Sequence, residues 1–377
     1  MQYKRWIEDY ILNNINIHKV ILIFGTRRSG KTSLLKKIMS TQNQSFLYLN
    51  GDDFNTRSLL ENKGIEEYRK LLGGRKLFIL DEAQSIPNIG KIMKVMIDEI
   101  ESLTILASGS SAFDLAQRTG EPLTGRSMTC YLFPMAYCEL VTQIAAEKMP
   151  GQVEQSLIYG SYPELLGLQS NQDREEYLNE LVSSYLTKDI LVLDNIRNSS
   201  KLMQILQLLA FQVGSEVSFH EISAQVGLSR NTVDRYIDIL QKAFIIFRLG
   251  GLSRNLRKEV SKSGKIYFWD NGIRNALVAN FNALKMRNDT GLLWENYVVA
   301  ERIKKLRYQR TSVNLFFWRT YDGQEIDLIE ERGGTLNAYE FKWKATRFHK
   351  PPKAWKENYP EASFQVVDQN NCDLFLT

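Results

Sequence analysis

The residues best suited to chemistry follow a hydrophobic run near the start of the chain, and they are Gly25, Thr26, Arg27, Arg28, Ser29, Gly30, Lys31, Thr32 and Ser33. Glycines allow backbone N–H groups to wrap around phosphate oxygens, and the helix expected after the run adds the positive end of its dipole. Lys31 would reach the β- and γ-phosphates of a nucleotide, and the Thr32 hydroxyl would ligate Mg²⁺. A Gly-rich turn can match this pattern by chance, but the flanking strand and helix favour a phosphate-binding loop.

Two acids form the next candidate group. Residues 77–80, which follow Lys76, are apolar and lead into Asp81 and Glu82, about fifty residues beyond the loop. A second parallel strand beside the first would bring these acids to the loop. Asp81 would then hold Mg²⁺ through water, and Glu82 would polarise the water that attacks the γ-phosphate. A buried strand capped by solvated acids is the alternative, which the nearby loop makes the weaker one.

Later polar residues could assist the same reaction. Residues 103–107 read as another buried strand, and Ser110, or Ser108, at its exit could hydrogen-bond the phosphate or the attacking water. Arg118 and Arg126 follow, and either could neutralise charge in the transition state, from the same chain or from a neighbour in an oligomer. Arg126 is the stronger candidate, although a surface arginine is usually just solvated.

A third group lies near the carboxyl terminus, where Glu295, Asp327, Glu340 and Lys342 stand on a predicted helix and two predicted strands. Asp327 and Glu340 on neighbouring strands could converge on one divalent metal, with Glu295 as a further ligand. Glu340 and Lys342 share a strand face because side chains alternate, so the ammonium could sit beside a metal-activated water. A bare Glu-x-Lys more often marks a solvated strand, but the order of elements favours a nuclease-like site.

Residues 217–240 read as helix, glycine-containing turn and helix, with Ser229 as the cap of the second helix. In a helix-turn-helix, the second helix would present Arg230, Asn231, Thr232 and Arg235 to phosphates or bases of DNA. The basic residues that would form a wing after it are Arg254, Arg257, Lys258, Lys262 and Lys265. A further basic run spans residues 302–310 and could track a phosphate backbone or, equally, form solvated helix surface. Packing within the protein is the alternative use of such a module.

The elements that must position these groups suggest an α/β protein. Strands alternating with helices predict a parallel sheet with its ligand at the carboxyl ends of the strands. From the composition shifts we expect a phosphate-loop domain at 1–140, a helical lid over the nucleotide at 141–197, a winged-helix domain at 198–262 and a nuclease-like α/β domain at 263–377.

Composition narrows the class of protein. A length of 377 residues suits two or three domains, and the net charge of +5 is only a mild hint of nucleic acid. Three scattered cysteines and three isolated histidines give no disulfide framework and no histidine metal cluster. The chain shows no signal peptide and no uncharged run long enough to cross a membrane, so we expect a cytoplasmic protein.

The whole chain resembles a large prokaryotic family of AAA-like ATPases, in which a phosphate-loop domain precedes a region of unknown function that looks like a winged helix followed by a restriction-endonuclease-like domain. The matching residues are 25–32, 80–84, 108–111, 123–126, 133–134 with 139, 160–164, 265–272, 294–296 and 323–327. Departures are Thr26, where proline is common, and Lys344, where a small polar residue often stands. The resemblance implies ATP binding and gives no physiological role.

The leading hypothesis is an ATPase, with ATP and Mg²⁺ as cofactors, whose nucleotide state positions a nucleic-acid-binding and nuclease-like module. The alternatives are a nucleotide-controlled scaffold and a DNA-binding regulator, each with an inactive nuclease-like fold.

Overall fold

Five strands form a parallel sheet in the amino-terminal part of the computed structural model, which describes residues 3–109, 123–184, 199–253, 264–345 and 350–377. These strands are β1 Val20–Gly25, β2 Phe46–Asn50, β3 Leu77–Asp81, β4 Thr104–Gly109 and β5 Ser127–Leu132. The strand order is β2-β3-β4-β1-β5. Strands β1, β3 and β4 are buried along their whole length, as expected of a parallel sheet covered on both faces.

The order corrects one prediction from the sequence. Strand β3, which ends in Asp81, was expected beside β1, but β4 lies between them and pairs in parallel with both. The connection from β1 therefore passes over two strand positions to reach β2, and β3 and β4 fill these positions later in the chain. Sequence spacing alone does not reveal this, since β3 and β4 are both apolar strands followed by polar residues.

The helices around this sheet follow the apolar periodicity of the sequence. They are Trp6–Asn13, Lys31–Thr41, Phe54–Leu60, Ile65–Leu72 and Ile89–Glu99, with a 3₁₀ turn at Ala83–Ser85. In the last of these helices, Ile92, Met93, Met96 and Ile97 are buried against the sheet. Their spacing of three and four residues puts them on one helix face.

A second, six-stranded mixed sheet lies in the carboxyl-terminal part. Its strands are β6 Ile246–Gly251, β7 Lys265–Phe268, β8 Asn314–Arg319, β9 Glu325–Arg332, β10 Thr335–Phe341 and β11 Ser363–Val367. The strand order is β11-β10-β9-β8-β6-β7, in which β10 with β11 and β6 with β8 are parallel pairs. The predicted order of helix, three strands, helix and strand from Thr290 onward is confirmed.

The helices of this part are Tyr137–Leu140, Met149–Tyr159, Asn171–Ser184, Ser199–Phe211, Phe219–Val226, Arg230–Lys242, Asn271–Leu277, Thr290–Tyr308, Lys353–Asn358 and Cys372–Leu376. Short 3₁₀ turns lie at Ala146–Lys148, Leu165–Gly167 and Leu284–Met286.

The chain divides into two compact units rather than the four predicted domains. Residues up to Phe133, together with Lys242–Phe244, form the first unit, and Pro134–Gln241 with Ile245–Thr377 form the second. The expected boundary between 262 and 263 falls inside the β6–β7 pair, and β6 also pairs with β8. The described part of the predicted lid belongs to the second unit, where Met149–Tyr159 and Asn171–Ser184 contact the helix Asn271–Leu277.

Buried side-chain amides and a carboxylate explain why the predicted lid packs there. Asp270 accepts hydrogen bonds from Ser161 N at 2.7 Å and from Gly272 N at 2.9 Å. Asn275 Nδ2 donates to the carbonyls of Leu157, at 3.0 Å, and Ile158. These bonds satisfy backbone groups where the helix Met149–Tyr159 ends, so the connection is held by buried polar contacts rather than left as a hinge.

The segment around Asn296 takes part in the same network of buried hydrogen bonds. Asn296 exchanges two hydrogen bonds with the backbone of Phe268, from Phe268 N at 2.7 Å and to Phe268 O at 3.1 Å, and its Nδ2 also donates to Asn271 Oδ1. The motifs around residues 160, 270 and 296 are therefore one structural unit.

In the described part of the chain, no helix has the length and apolar character needed to cross a membrane. The three cysteines, Cys130, Cys138 and Cys372, are free and buried.

Candidate functional site

The predicted phosphate loop connects β1 to the helix Lys31–Thr41 at the carboxyl edge of the first sheet. Gly25 ends β1 in contact with β5, where a Cβ atom would lie 2.0 Å from the Leu132 carbonyl oxygen. Gly30 has φ +96°, a backbone conformation that L side chains rarely adopt. Both glycines are thus required by local geometry.

Lys31 is buried, with its ammonium inside the loop. Its Nζ donates to the carbonyl oxygens of Gly25 at 3.1 Å and Thr26 at 2.9 Å. Because the ammonium already lies within the loop, a triphosphate bound by the loop would contact a positive charge at the position that the sequence predicted.

The remaining loop residues differ in exposure. Arg27, Arg28 and Ser33 are exposed, and Arg28 has a positive φ of +59°. Ser29 is buried and its hydroxyl donates to Thr26 O at 2.8 Å. The buried Thr26 hydroxyl has no hydrogen-bond partner. An unmet buried donor inside the loop fits a ligand with acceptor oxygens.

The predicted Mg²⁺ ligands lie together. The Thr32 hydroxyl donates to Asp81 Oδ2 at 2.7 Å, even though Thr32 follows β1, Asp81 ends β3, and β4 lies between these two strands. The Ser108 hydroxyl, on that intervening strand, donates a short hydrogen bond to Asp81 Oδ1, so both carboxylate oxygens are oriented. A hydroxyl and a carboxylate beside a phosphate loop are the oxygen ligands that suit Mg²⁺ held with a nucleotide.

Glu82, the predicted base, stands in an unusual backbone conformation. Its φ of +49° and ψ of +46° place it in the left-handed region. Its backbone N–H donates to Ser108 Oγ at 3.2 Å, and its carboxylate accepts from Gln84 Nε2 at 2.6 Å. Gly51 makes room for this turn, because a Cβ there would lie 2.3 Å from the Glu82 carbonyl oxygen. Strained conformations of this kind concentrate at functional positions.

Sequence reasoning missed Arg5. It precedes the first helix, is only 4% exposed, and donates to Ser29 O at 2.6 Å and to Phe133 O at 2.7 Å. Its guanidinium therefore ties the phosphate loop to the end of the first unit. Nothing in the sequence marks it, since an arginine at the start of an amphipathic helix reads as a surface residue.

Arg126 corrects a prediction. Its carbonyl accepts from Val20 N at 2.9 Å, so it lies where β1 and β5 begin, at the edge opposite the loop. Five strand steps of about 3.3 Å separate the two edges by roughly 17 Å. Its guanidinium pairs with Asp98. The prediction that Arg126 acts on the nucleotide of its own chain is therefore wrong. Action of Arg126 on the nucleotide of a neighbouring subunit stays a prediction. Ser110 and Arg118 lie outside the described residues.

The carboxyl-terminal carboxylates do come together, around a residue predicted to serve elsewhere. Lys265 was expected in a basic wing, but it is 2% exposed and its Nζ lies 3.1 Å from Glu295 Oε1, within contact of Glu325 Oε1 and 3.6 Å from Asp327 Oδ1. Glu340 lies to one side, paired with Lys342 at 2.7 Å. Glu340 and Lys342 therefore lie close together, although β10 ends at Phe341 and Lys342 follows it.

Burial and mutual repulsion shift the pKa values of these groups. Burial, helped by the Asp327 charge, raises the pKa of Glu295 to about 7. Burial also raises the pKa values of Asp327 and Glu340. For Lys265, burial alone would lower the pKa, but Glu295, Asp327 and Glu325 outweigh it and raise the pKa above its ordinary value. The ammonium stays charged among its three partners.

This arrangement does not fit the predicted divalent metal. The ammonium of Lys265 occupies the space between the carboxylates, and Phe341 N donates to Asp327 Oδ2 at 2.9 Å. Across the described ranges, no group of three or more His, Cys, Asp or Glu side chains is arranged to hold a metal ion.

The two helices predicted within residues 217–240 are Phe219–Val226 and Arg230–Lys242, joined through Gly227 with φ +67°. Ser229 caps the second helix by accepting from Thr232 N at 3.2 Å, as predicted. The predicted contact residues Arg230, Asn231 and Arg235 are exposed, and Thr232 is half-buried. The wing residues Arg254, Arg257, Lys258 and Lys262 lie outside the described residues.

The second basic run does not form the expected phosphate-binding surface. Lys304 is buried against Glu301 at 2.7 Å, and Lys305 is also buried. Arg302 pairs with the buried carboxylate of Glu330. Three cations of this helix are therefore used within the fold.

Comparison with known proteins agrees with the geometry of the first unit. Residues 17–141 match the family model of an AAA domain, and residues 151–285 and 290–373 match two domains of unknown function, DUF8612 and DUF4143. Uncharacterized proteins of Mycobacterium tuberculosis and Haemophilus influenzae are 24% and 23% identical to this chain. These alignments cover 87% and 84% of this chain, and 71% and 80% of the relatives.

Among solved structures, a Walker-type ATPase of Pyrococcus abyssi superposes with a TM-score of 0.50 at 15% identity, over 73% of this chain and 96% of that chain. This likeness concerns the fold. Together with the AAA domain match, it supports an AAA-type phosphate-loop ATPase fold with a nucleotide site, followed by a mixed-sheet region whose relatives carry no assigned activity.

Proposed function

We propose that this protein is an ATPase that binds ATP with Mg²⁺ and hydrolyses it to ADP and phosphate. The observation that carries the proposal is the hydrogen bond of 2.7 Å between the Thr32 hydroxyl and Asp81, next to the Lys31 ammonium. Lys31 and Thr32 follow β1 and Asp81 ends β3, two strands that are not neighbours, so the convergence of these groups at the loop is not a by-product of local sequence.

Each residue has a distinct role in this proposal. The loop backbone and Lys31 bind the phosphates, and Thr32 with Asp81 hold the Mg²⁺, which would neutralise charge developing on the phosphate oxygens. Ser108 orients Asp81, and Glu82 accepts the proton of the attacking water. The hydrogen bond from Gln84 to Glu82 sets the direction of that carboxylate.

The test is steady-state ATP hydrolysis and equilibrium binding of a fluorescent ATP analogue. Lys31→Ala should abolish both, because the phosphates lose their cation. Glu82→Gln should abolish hydrolysis and retain the nucleotide, because only the base is lost. Lys36→Ala is the matched control, since this lysine lies on the same helix and is exposed. Unchanged turnover in Glu82→Gln would reject Glu82 as the base, and binding unaffected by Lys31→Ala would reject the nucleotide site.

We also propose that the second unit contacts DNA through the helix Arg230–Lys242 and that nucleotide binding controls this contact. The exposed Arg230, Asn231 and Arg235 on the helix after a glycine turn support the proposal. DNA affinity should fall about tenfold or more in Arg230→Ala with Arg235→Ala, with a shallower salt dependence. Lys148→Ala, an exposed lysine elsewhere in the second unit, is the control. Equal affinity of all variants would exclude this surface.

Metal-dependent cleavage of nucleic acid is not part of the proposal, because Lys265 stands among the carboxylates that a metal would need. This favours the alternative of a nucleotide-controlled binding protein with an inactive nuclease-like fold. Plasmid incubated with the protein and Mn²⁺ should stay uncut, and cleavage that Lys342→Ala abolishes would contradict this.

A further inference from the structure

We propose that the Lys265 ammonium is the resident cation of the cluster formed by Glu295, Glu325 and Asp327, which therefore binds no divalent metal in this protein. Loss of this amine would leave a site for a hard divalent cation such as Mn²⁺. The inference concerns the second unit and does not depend on ATP hydrolysis.

The cluster is assembled from elements distant in sequence. Lys265 and Tyr267 stand two residues apart on one face of β7, and both reach Glu295 Oε1, at 3.1 and 2.7 Å. Glu325 and Asp327 stand two residues apart on one face of β9 and approach the same ammonium. Three carboxylates on a helix and a strand thus converge on a single side chain from a third element.

The oxygens facing the interior are already engaged. Glu295 Oε1 accepts from two donors, and Asp327 Oδ2 accepts from Phe341 N. Glu325 Oε2 lies 3.9 Å from Arg319 Nε. A divalent ion needs six or more oxygen ligands, and would have to expel the ammonium to obtain those of this cluster.

Expulsion is hindered by how the amine is buried. Gly214, with φ +73°, closes over the cluster, since a Cβ there would lie 3.0 Å from Glu295 Oε1. The Phe317 ring lies 5.8 Å from Lys265 Nζ, which places an aromatic face beside the charge. A charged amine moved out of this pocket would leave buried carboxylates unpaired, which is strongly unfavourable.

The charge balance points to what would replace the amine. Three carboxyl groups face one ammonium, so at a pH above the raised pKa of Glu295 the cluster carries an excess of negative charge and favours a cation over a neutral side chain. Carboxylate oxygens prefer hard cations such as Mg²⁺ and Mn²⁺. Lys265→Met keeps much of the side-chain length and removes the charge.

The experiment is a titration of the full chain with Mn²⁺, followed by the loss of the free-ion electron paramagnetic resonance signal. All variants carry Asp81→Asn, so that ion binding at the phosphate loop does not contribute and failure of the ATPase proposal stays distinguishable. The Asp81→Asn protein alone should show no Mn²⁺ binding in the second unit. Addition of Lys265→Met should create one Mn²⁺ site that the Asp81→Asn protein lacks, with an affinity at least about tenfold above any residual binding of the Asp81→Asn protein, and Mn²⁺ should raise the melting temperature of the Lys265→Met protein.

Two controls distinguish a Mn²⁺ site created at the cluster from an effect of losing positive charge in general. Lys342→Met removes the half-exposed lysine paired with Glu340 and should bind no Mn²⁺. Asp327→Asn added to Lys265→Met should abolish the new site. A Lys265→Met protein that is folded but does not bind Mn²⁺ would overturn the proposal. If Lys265→Met does not fold even with Mn²⁺, the test uses the Asp81→Asn protein, which keeps Lys265. Mn²⁺ binding by this protein that is lost on addition of Asp327→Asn would overturn the proposal. Absence of Mn²⁺ binding to it would support the proposal.

Discussion

Arg5 shows how a single buried side chain can hold a functional loop. Its guanidinium spans from the Ser29 carbonyl in the phosphate loop to the Phe133 carbonyl after β5, and it is almost fully removed from solvent. Hydrogen bonds from a charged donor contribute about 1.5–3 kcal/mol each. Arg5 is therefore a positioning residue, which acts on the nucleotide through the loop.

Arg5→Ala should raise the KM for ATP about tenfold or more and change kcat less, because the loop loses a fixed attachment while Lys31, Thr32 and Glu82 stay in place. Arg5→Lys should restore part of the loss, since an ammonium can reach one carbonyl. Lys4→Ala, a neighbouring exposed lysine, is the control in the same steady-state assay. A fall in kcat with unchanged KM in Arg5→Ala would contradict a positioning role.

Asp289 gives a pH-dependent contribution to stability. It accepts hydrogen bonds from Arg287 Nε at 2.8 Å and Arg274 Nη1 at 2.7 Å. Burial alone would raise the pKa of Asp289, but these two arginines lower it to about 2. The folded state therefore binds fewer protons than the unfolded state, and the stabilisation is present above about pH 4 and lost as the pH falls towards 2.

Asp289→Asn should accordingly be less stable than the wild type at pH 6 by about 1 kcal/mol once solvent screening is allowed for, because a neutral amide loses the charge interaction with the two guanidinium groups. The difference should shrink as the pH falls below about 4, where the wild-type carboxyl also loses its charge. Urea unfolding from pH 6 to 2.5 measures this. A difference that is constant over that range would show that the ion pairs do not titrate as described.

At the scale of elements, the connection after the helix Met149–Tyr159 depends on close packing around Gly160. Its φ is +78°, and a Cβ there would lie 1.9 Å from Asp270 Oδ1. The Gly and Pro of residues 159–164 break the helical pattern, which indicates a hinge or a packed turn. The structure shows the packed turn, locked by a buried carboxylate that sequence periodicity does not reveal because Asp270 lies 110 residues later.

Gly160→Ala should lower the free energy of unfolding of the second unit by roughly 3 kcal/mol, from backbone strain and the clash with Asp270. Gly151→Ala is the matched control on the same helix, where a Cβ meets nothing within 4 Å, and it should be neutral or stabilising by up to about 1 kcal/mol. Denaturant unfolding compares the two. Equal stability of both variants would refute the described contact.

At the scale of the whole molecule, the chain forms two units with separate sheets. The predicted lid and winged-helix segments share the second unit with the carboxyl-terminal sheet. The sequence suggested more domains because helical stretches of different composition read as separate modules. Their buried contacts, and the pairing of β6 with β8, come from residues distant in sequence.

Thermal unfolding should therefore show two transitions. ATP with Mg²⁺ at 100 times its dissociation constant should stabilise the first unit by about 2.7 kcal/mol, measured in Glu82→Gln to prevent hydrolysis. Gly160→Ala should lower the midpoint temperature of the other transition, which would assign that transition to the second unit. Calorimetry on the full chain is the measurement. A single transition whose midpoint temperature shifts equally with ATP and with Gly160→Ala would contradict the division into two units.

The sequence by itself determined the phosphate loop, the strand that carries Asp81 and Glu82, and the alternation of helices and strands, because glycine conformations and apolar periodicity are local properties. Tertiary structure decided which strand lies between β1 and β3, where Arg126 points, and that Lys265 fills the carboxylate cluster. These outcomes depend on pairs of residues far apart in the chain, and their burial and charge interactions exist only once the fold has brought them together.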